Sequence, residues 1–359
     1  MTFKLSDYGY TILMIETKLV CNMQCKFCAY PLMDTVGAEL SDQEVYTIID
    51  SIDPSDSNFE GIYFQKYNEP LLDKRIFHFI KYAKSRGLKV QVITNGLLFK
   101  SKDIRNQLLD TEPTQILISL QIIDKDNFAN SRGIRSSFED YKQGIFAFLD
   151  ESVNRNSPSI IIIDIACNFL SDHVMFSKTG RITKLLGLER GDPSVPDSVH
   201  DIQDDLIDFI RDLHEYNPLF AFDETTIRRY LKAIDPNYLS QVGVPVSERI
   251  SVKIKQFIYG RKLTEFYPVS KAPGCKSGML SVDANGAVAP CCLAYGDMLT
   301  LGTIKQDSLQ NILNKTAKFV DGIRTGKNMP KICMRCNGEP TLRGSLVASM
   351  YWMITRWKQ

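Results

Sequence analysis

Histidine is scarce in this chain: four residues in 359, at positions 78, 173, 200 and 214, and none beside a cluster of cysteines. Chemistry built on imidazole is therefore poorly supplied. Charge of one sign is missing too, because 43 Lys+Arg stand against 42 Asp+Glu for a formal net charge of +1. No global field draws in a polyanion or an anionic surface, so neither nucleic acid nor membrane is an expected partner. No run approaches the ~20 apolar residues of a membrane helix. The opening segment, MTFKLSDYGY, lacks a charged start followed by an apolar stretch and a cleavage site. A cytoplasmic location is expected. Also absent are a Walker A loop, G-x-G-x-x-G after a strand, a G-x-S-x-G elbow and H-E-x-x-H, which removes the usual nucleotide-binding and hydrolase signatures. No fixed-period repeat suggests a solenoid.

What is present is an ordinary globular composition, 44% hydrophobic and 24% charged, on a chain long enough for one large α/β barrel or two domains. TILMIETKLV at 11–20 reads as a strand ending at Cys21. Ser41 and Glu44 have capping-box spacing ahead of the apolar Val45, Ile48 and Ile49. Strands follow at 61–67, 88–94, 115–121 and 159–166, with helices at 73–83, 102–109 and 138–149 between them. Alternating helices and nearly all-apolar strands predict a parallel sheet buried on both faces, with residues 1–168 as five β/α units. Residues 169–270 break the rhythm: 191–198 is a loop, 201–215 a helix, and either LFAF at 219–222 or ISVKIKQF at 250–257 supplies a sixth strand. Residues 271–359, with an Asn285-Gly286 hairpin turn and two groups of cysteines, read as a small module organised by metal.

Nine cysteines are present and eight are clumped, which in a reducing compartment points to metal rather than disulfides. Cys21, Cys25 and Cys28 fit C-x3-C-x2-C on the loop after the first strand, with no fourth Cys or His nearby to complete a tetrahedral zinc site. Three thiolates leave one iron of a cubane iron–sulfur cluster open to a small chelating ligand. A zinc site that borrows a distant ligand is the alternative.

The run CNMQCKFC resembles the signature of the radical S-adenosylmethionine (SAM) superfamily. That resemblance implies a partial (β/α)6 TIM-like barrel, a SAM-binding [4Fe–4S] cluster on Cys21, Cys25 and Cys28, and an electron donor such as flavodoxin or ferredoxin. It also implies cleavage of SAM to a 5′-deoxyadenosyl radical that takes hydrogen from an unactivated carbon. Phe27 matches the family's aromatic position near the adenine. Tyr67-Asn68-Glu69-Pro70 is similar to the family's Gly-Gly-Glu-Pro segment, which receives the SAM ammonium, but Tyr67 and Asn68 stand where glycines are usual. Ser119 and Arg132-Gly133 are similar to the serine and arginine that hold the SAM carboxylate, while Gln121 departs from a common aspartate. Asn95-Gly96 either lines the same mouth or is a plain turn.

Cys275, Cys291, Cys333 and Cys336 form a second set of four thiols, able to close around zinc or a [4Fe–4S] cluster. LSVDANGAVAPC, LGTIKQDSLQNIL and CMRC resemble the SPASM/twitch extension of radical SAM enzymes, which carries auxiliary clusters. No cysteine follows Cys336, so one auxiliary cluster is expected. Cys292 either exchanges roles with Cys291, donates a hydrogen atom to a product radical, or packs; Cys167 is expected to pack. The expected fold class is α/β, a partial barrel over 1–168 and 169–270 with a small cysteine-rich domain over 271–359. The expected substrate is a small molecule of the sugar, aminocyclitol or nucleoside kind, oxidised, epimerised or rearranged. Peptide modification, or a non-catalytic iron–sulfur or zinc protein, are the alternatives.

Overall fold

The first strand, Ile12–Ile15, is shorter than its composition predicts, and the side chain of the next residue, Glu16, holds two backbone N–H groups. The computed structural model describes residues 2–167, 195–196, 199–233, 243–256, 266–270, 272, 274–275, 277–338 and scattered positions of 342–353. The elements are β1 (Ile12–Ile15), α1 (Asp42–Ser51), β2 (Gly61–Tyr63), α2 (Ile76–Ser85), β3 (Val90–Thr94), α3 (Lys102–Leu109), β4 (Gln115–Gln121), α4 (Lys125–Arg132), α5 (Phe138–Asn154) and β5 (Ile160–Cys167). There follow α6 (Gln203–Tyr216), α7 (Glu224–Ala233), β6 (Val244–Pro245), β7 (Ile250–Gln256), β8 (Met279–Val282), β9 (Ala287–Ala289), β10 (Gly302–Thr303), α8 (Leu309–Arg324) and α9 (Lys331–Cys336). The expected capping box opens α1, with the Ser41 N–H donating to Glu44 at 2.7 Å and the Glu44 N–H to the Ser41 hydroxyl at 3.3 Å. Strand β7 is the sixth parallel strand, and LFAF is not a strand. The loop expected at 191–198 lies mostly outside the described residues.

Strand order is β10-β9-β8-β1-β2-β3-β4-β5-β7-β6. The run β1-β2-β3-β4-β5-β7 is parallel throughout. One face carries the main apolar core, with Leu13, Ile62, Val92, Ile118, Ile163 and Val252 packed among helix residues such as Ile48, Ile80 and Phe148. The opposite face departs from the all-apolar expectation. Along β4 the burial alternates, and the less buried positions are Gln115, Leu117, Ser119 and Gln121. Gln91 donates to Gln115 at 2.7 Å across this face, and Lys255 of β7 pairs with the buried Asp164 of β5. Amides and charges thus occupy positions where a core would place Leu or Val. Helix α4 leaves little signal in the sequence because Phe128 is its one large apolar residue.

The C-terminal hairpin extends the same sheet. Strand β8 runs parallel to β1, and β9 returns antiparallel after a turn in which Gly286 takes φ 90°. A buried polar knot secures it. The Glu16 carboxylate accepts from the Tyr67 N–H at 3.0 Å and the Ala284 N–H at 3.3 Å, while Lys66 pairs with Asp283 at 2.6 Å.

Two predictions follow from these contacts. Gly133, at φ 63° after α4, would bring a Cβ to 2.4 Å from the Gln24 carbonyl oxygen, whereas Gly37, at φ 91°, has nothing within 4 Å. Positive φ strains an alanine at either position by about 1–3 kcal/mol, and the carbonyl clash is expected to make Gly133→Ala the more costly of the two. Equal urea midpoints for the two variants would contradict the clash. Burial, then the neighbouring Asp283, push Glu16 up to about 7, against the pull of Lys66. Because the folded value lies above the unfolded one, the stability contribution is present below about pH 4.5 and is lost as pH rises through about 7, on the order of 3 kcal/mol. Glu16→Gln should flatten that part of the thermal-stability profile, and an unchanged slope would refute the assignment.

Candidate functional site

Cys21, Cys25 and Cys28 lie on the loop after β1, and α4 braces that loop from outside. The Gln24 and Lys26 N–H groups donate to the Arg132 and Ser131 carbonyls at 3.2 and 3.0 Å. None of the three cysteines is in a disulfide. Burial pushes the Cys21 and Cys28 thiols up to about 12 and raises Cys25 as well. The sulfurs act on one another electrostatically, so the loop brings them together. Thiols that resist ionising one at a time suit a polyvalent metal group that displaces their protons together. Among the described residues, no group of three or more His, Cys, Asp or Glu is placed to hold a single metal ion.

Arg132 is 2% exposed and its charge acts on all three sulfurs. One guanidinium nitrogen donates to the Ser119 carbonyl at 2.9 Å, and the group lies 5.8 Å from the centre of the Phe27 ring. Its Nε is buried without a hydrogen-bond partner, as are Asn68 Nδ2 and Gln121 Oε1. Buried polar atoms left unpaired in this way mark positions that a ligand would satisfy. Gln121 adopts φ 58° where the register between β4 and β5 shifts, and its amide donates to the Ser119 hydroxyl at 2.7 Å. Non-glycine residues in that region of backbone space gather at binding sites. The donors and thiols present therefore fit a cluster together with a ligand that carries a carboxylate.

Glu69, expected from its segment to help receive the ammonium, is 1% exposed and already accepts three hydrogen bonds from its own chain. Its carboxylate accepts from the Thr94 hydroxyl at 2.7 Å, the Asn95 N–H at 2.7 Å and the Leu71 N–H at 3.2 Å. Burial raises it to about 7 despite these bonds and the charge of Arg132. Asn95 then reaches the Asn22 side-chain carbonyl at 2.8 Å and Cys21 Sγ at 3.8 Å, while its own carbonyl accepts from the Tyr141 hydroxyl at 2.5 Å. The Asn95-Gly96 turn is thus tied to the first cysteine loop.

The second set comes together below the β8–β9 hairpin. Cys275, Cys291 and Cys333 pack around Ala294, Leu299 and Ile323. Cys336, exposed at the end of α9, is close enough to act electrostatically on Cys291 and Cys275. The Leu293 N–H donates to Cys291 Sγ at 3.2 Å, and a hydrogen bond from Cys292 lowers the Cys291 thiol. Cys292 is raised by the same bond. Cys167 is fully buried in the main core, as expected for packing. Sequence reasoning passed over Glu16, Lys66, Asp283 and Tyr141. The Lys66–Asp283 pair spans 217 positions and leaves no local pattern, whereas Tyr141 is a buried helix residue whose hydroxyl alone reaches out, to the Asn95 carbonyl.

A family model described as the radical SAM superfamily matches residues 15–165, and one described as an iron–sulfur cluster-binding domain, SPASM, matches 275–337. No curated protein matches the chain. Among solved structures, SuiB of Streptococcus suis bound to S-adenosylmethionine is similar over 93% of this chain and 72% of its own, at 12% identity and a TM-score of 0.50. BtrN in complex with AdoMet and 2-DOIA is similar over 90% of this chain and 92% of its own, at 12% identity and 0.47. The protein anSMEcpe with bound AdoMet is similar over 96% and 97%, at 15% identity and 0.49. The likeness to SuiB speaks to the fold alone. The chain thus carries a radical SAM domain over residues 15–165 and a SPASM domain over 275–337, and these two domains imply a SAM-binding [4Fe–4S] cluster, an auxiliary cluster and SAM as cofactors.

Proposed function

We propose that this chain takes a hydrogen atom from an unactivated carbon of a small polar substrate, of the sugar, aminocyclitol or nucleoside kind, leading to its oxidation, epimerisation or rearrangement. The observation that carries this reading is the buried Arg132, its Nε unpartnered, beside three free thiols at the C-terminal end of a parallel sheet. Such sheet ends are where α/β folds bind ligands. When bound, the cluster and SAM supply a 5′-deoxyadenosyl radical by reductive cleavage of the sulfonium.

The chain's own residues bind and orient. Cys21, Cys25 and Cys28 hold the cluster and leave one iron open. Arg132 offers its free N–H to the SAM carboxylate, kept in line by its bond to the Ser119 carbonyl. The carbonyls of Tyr67 and Asn68 accept the ammonium, with Glu69 fixing the turn they stand on. The Phe27 ring, held near Arg132, flanks the adenine. Cys275, Cys291, Cys333 and Cys336 hold the auxiliary cluster. Cys292, next to Cys291, is a candidate hydrogen-atom donor. The polar sheet face of Gln91, Gln115, Ser119, Asp164 and Lys255 supports a substrate rich in hydrogen-bonding groups. A flavodoxin- or ferredoxin-like donor supplies the electron.

Anaerobically reconstituted protein should carry about 8 iron atoms per chain, against about 4 with zinc at the second site. Reduced and mixed with SAM it should release 5′-deoxyadenosine, and Cys21→Ala, Cys25→Ala and Cys28→Ala variants should release none. Arg132→Met should raise KM for SAM roughly tenfold or more with iron content unchanged. Cys292→Ala should leave 5′-deoxyadenosine formation intact while product yield or stereochemistry changes. Wild-type protein that binds iron yet never yields 5′-deoxyadenosine would end this reading; turnover of peptides but of no small polar compound would replace its substrate part.

A further inference from the structure

Tyr67 stands where the family's corresponding segment has glycine, and its side chain is spent on the second cysteine site. The ring is buried with Leu19, Ala29, Ala284 and Tyr295, and Cys28 lies against the same group. Tyr295 meets it edge to face at 5.9 Å and 83°. The hydroxyl donates to the Leu293 carbonyl at 2.7 Å, and the N–H of that same Leu293 donates to Cys291 Sγ at 3.2 Å. One residue therefore links both constellations: Cys28 packs against the small cluster that holds the ring, and two hydrogen bonds by way of Leu293 lead to Cys291.

The rest of the segment is tied to the same module. Lys66 Nζ binds both oxygens of Asp283 at 2.6 and 2.8 Å, and its side chain is only 1% exposed. Glu16 joins the Tyr67 N–H to the Ala284 N–H. By contrast, the barrel side of the segment is held by the Glu69 N–H donating to the Val20 carbonyl at 2.8 Å and by the Glu69 carboxylate. Residues 66–69 thus bridge the first cysteine loop and the hairpin that carries Cys291. Any change in how tightly Leu293 is held is felt at Tyr67, and so at the carbonyls beside it.

We propose that Tyr67 is a positioning residue that couples the two sites: occupancy of the four-cysteine site fixes Leu293, and through the Tyr67 hydroxyl fixes the 67–69 carbonyls that receive the SAM ammonium. This rests on the proposed reading of 67–69 as that receptor. Coupling of this kind is reciprocal, so SAM binding and occupancy of the second site favour each other by the same factor. The phenol keeps its proton throughout, and no bond is made or broken.

The test measures SAM affinity rather than turnover, by titrating the change in the electron paramagnetic resonance signal of reduced, reconstituted protein. Wild type must first show a signal that shifts with SAM; if it does not, the proposed function fails before the coupling is reached. Tyr67→Phe keeps the ring and removes one hydroxyl. It should hold its full iron and bind SAM about fivefold more weakly, the size of one buried hydrogen bond. Replacing Cys333 and Cys336 by Ala together empties the second site, and should weaken SAM binding in the wild-type background but add little in Tyr67→Phe. Cys336→Ala alone serves where the double variant does not fold. Wild-type affinity in Tyr67→Phe overturns the proposal. So does loss of its iron, which would make the hydroxyl merely structural, and so does an equal effect of emptying the second site in both backgrounds.

Discussion

A carboxylate taken out of water at the end of a sheet must find donors, and Glu69 finds them on two neighbouring elements. It accepts from Thr94 and Asn95 at the end of β3 and from Leu71 in the turn after β2. These bonds fix the two strand ends at one level. Asn95 is thereby aimed at Asn22 and Cys21, and Tyr141 of α5 holds the Asn95 carbonyl from the helix side. The cysteine loop is consequently positioned through side chains of the barrel as well as through its own backbone. Removing a group from such a network would leave buried polar partners stranded.

The second constraint is sheet continuity. Because β8 pairs with β1, the strand that delivers Cys21 lies directly beside the one that follows Cys275. The two cysteine sets are therefore spaced by strand geometry and not by a flexible linker. Arg324, at the end of α8, strengthens this arrangement by donating to the Tyr8 and Gly9 carbonyls and lying 4.5 Å from the centre of the Tyr10 ring. The Cys275 N–H meanwhile donates to the Ile323 carbonyl at 3.1 Å. Segments from both ends of the chain thus close on the hairpin.

Much of this was legible in the sequence, for identifiable reasons. Strand β4 and helix α3 fall on their expected residues because apolar periodicity, Ser101 and the flanking polar turns agree. The cysteine spacings marked both constellations. What escaped was whatever depends on distant partners. Asp164 and Lys255 lie in strands that read as buried, and only their pairing across the sheet shows that this face is polar. Glu69 was singled out by its segment, yet its lone pairs go to the Leu71 and Asn95 N–H groups and the Thr94 hydroxyl, which no spacing announces. Helix α4 has too few apolar residues to show periodicity, although Gly133 at its end was legible.

The residue at position 67 shows how a local rule and a long-range contact compete. Glycine in such a segment favours close backbone approach, and a side chain there would ordinarily obstruct it. Here the side chain leaves in the direction of the hairpin, where an apolar recess and an open carbonyl receive it. The backbone N–H is simultaneously held by Glu16. Fixing one residue from both its main chain and its side chain limits the freedom a glycine would have kept, so the segment meets its ligand already ordered. Preorganisation of this sort lowers the entropy lost on binding, and under the proposed coupling it would draw the C-terminal module into the SAM site.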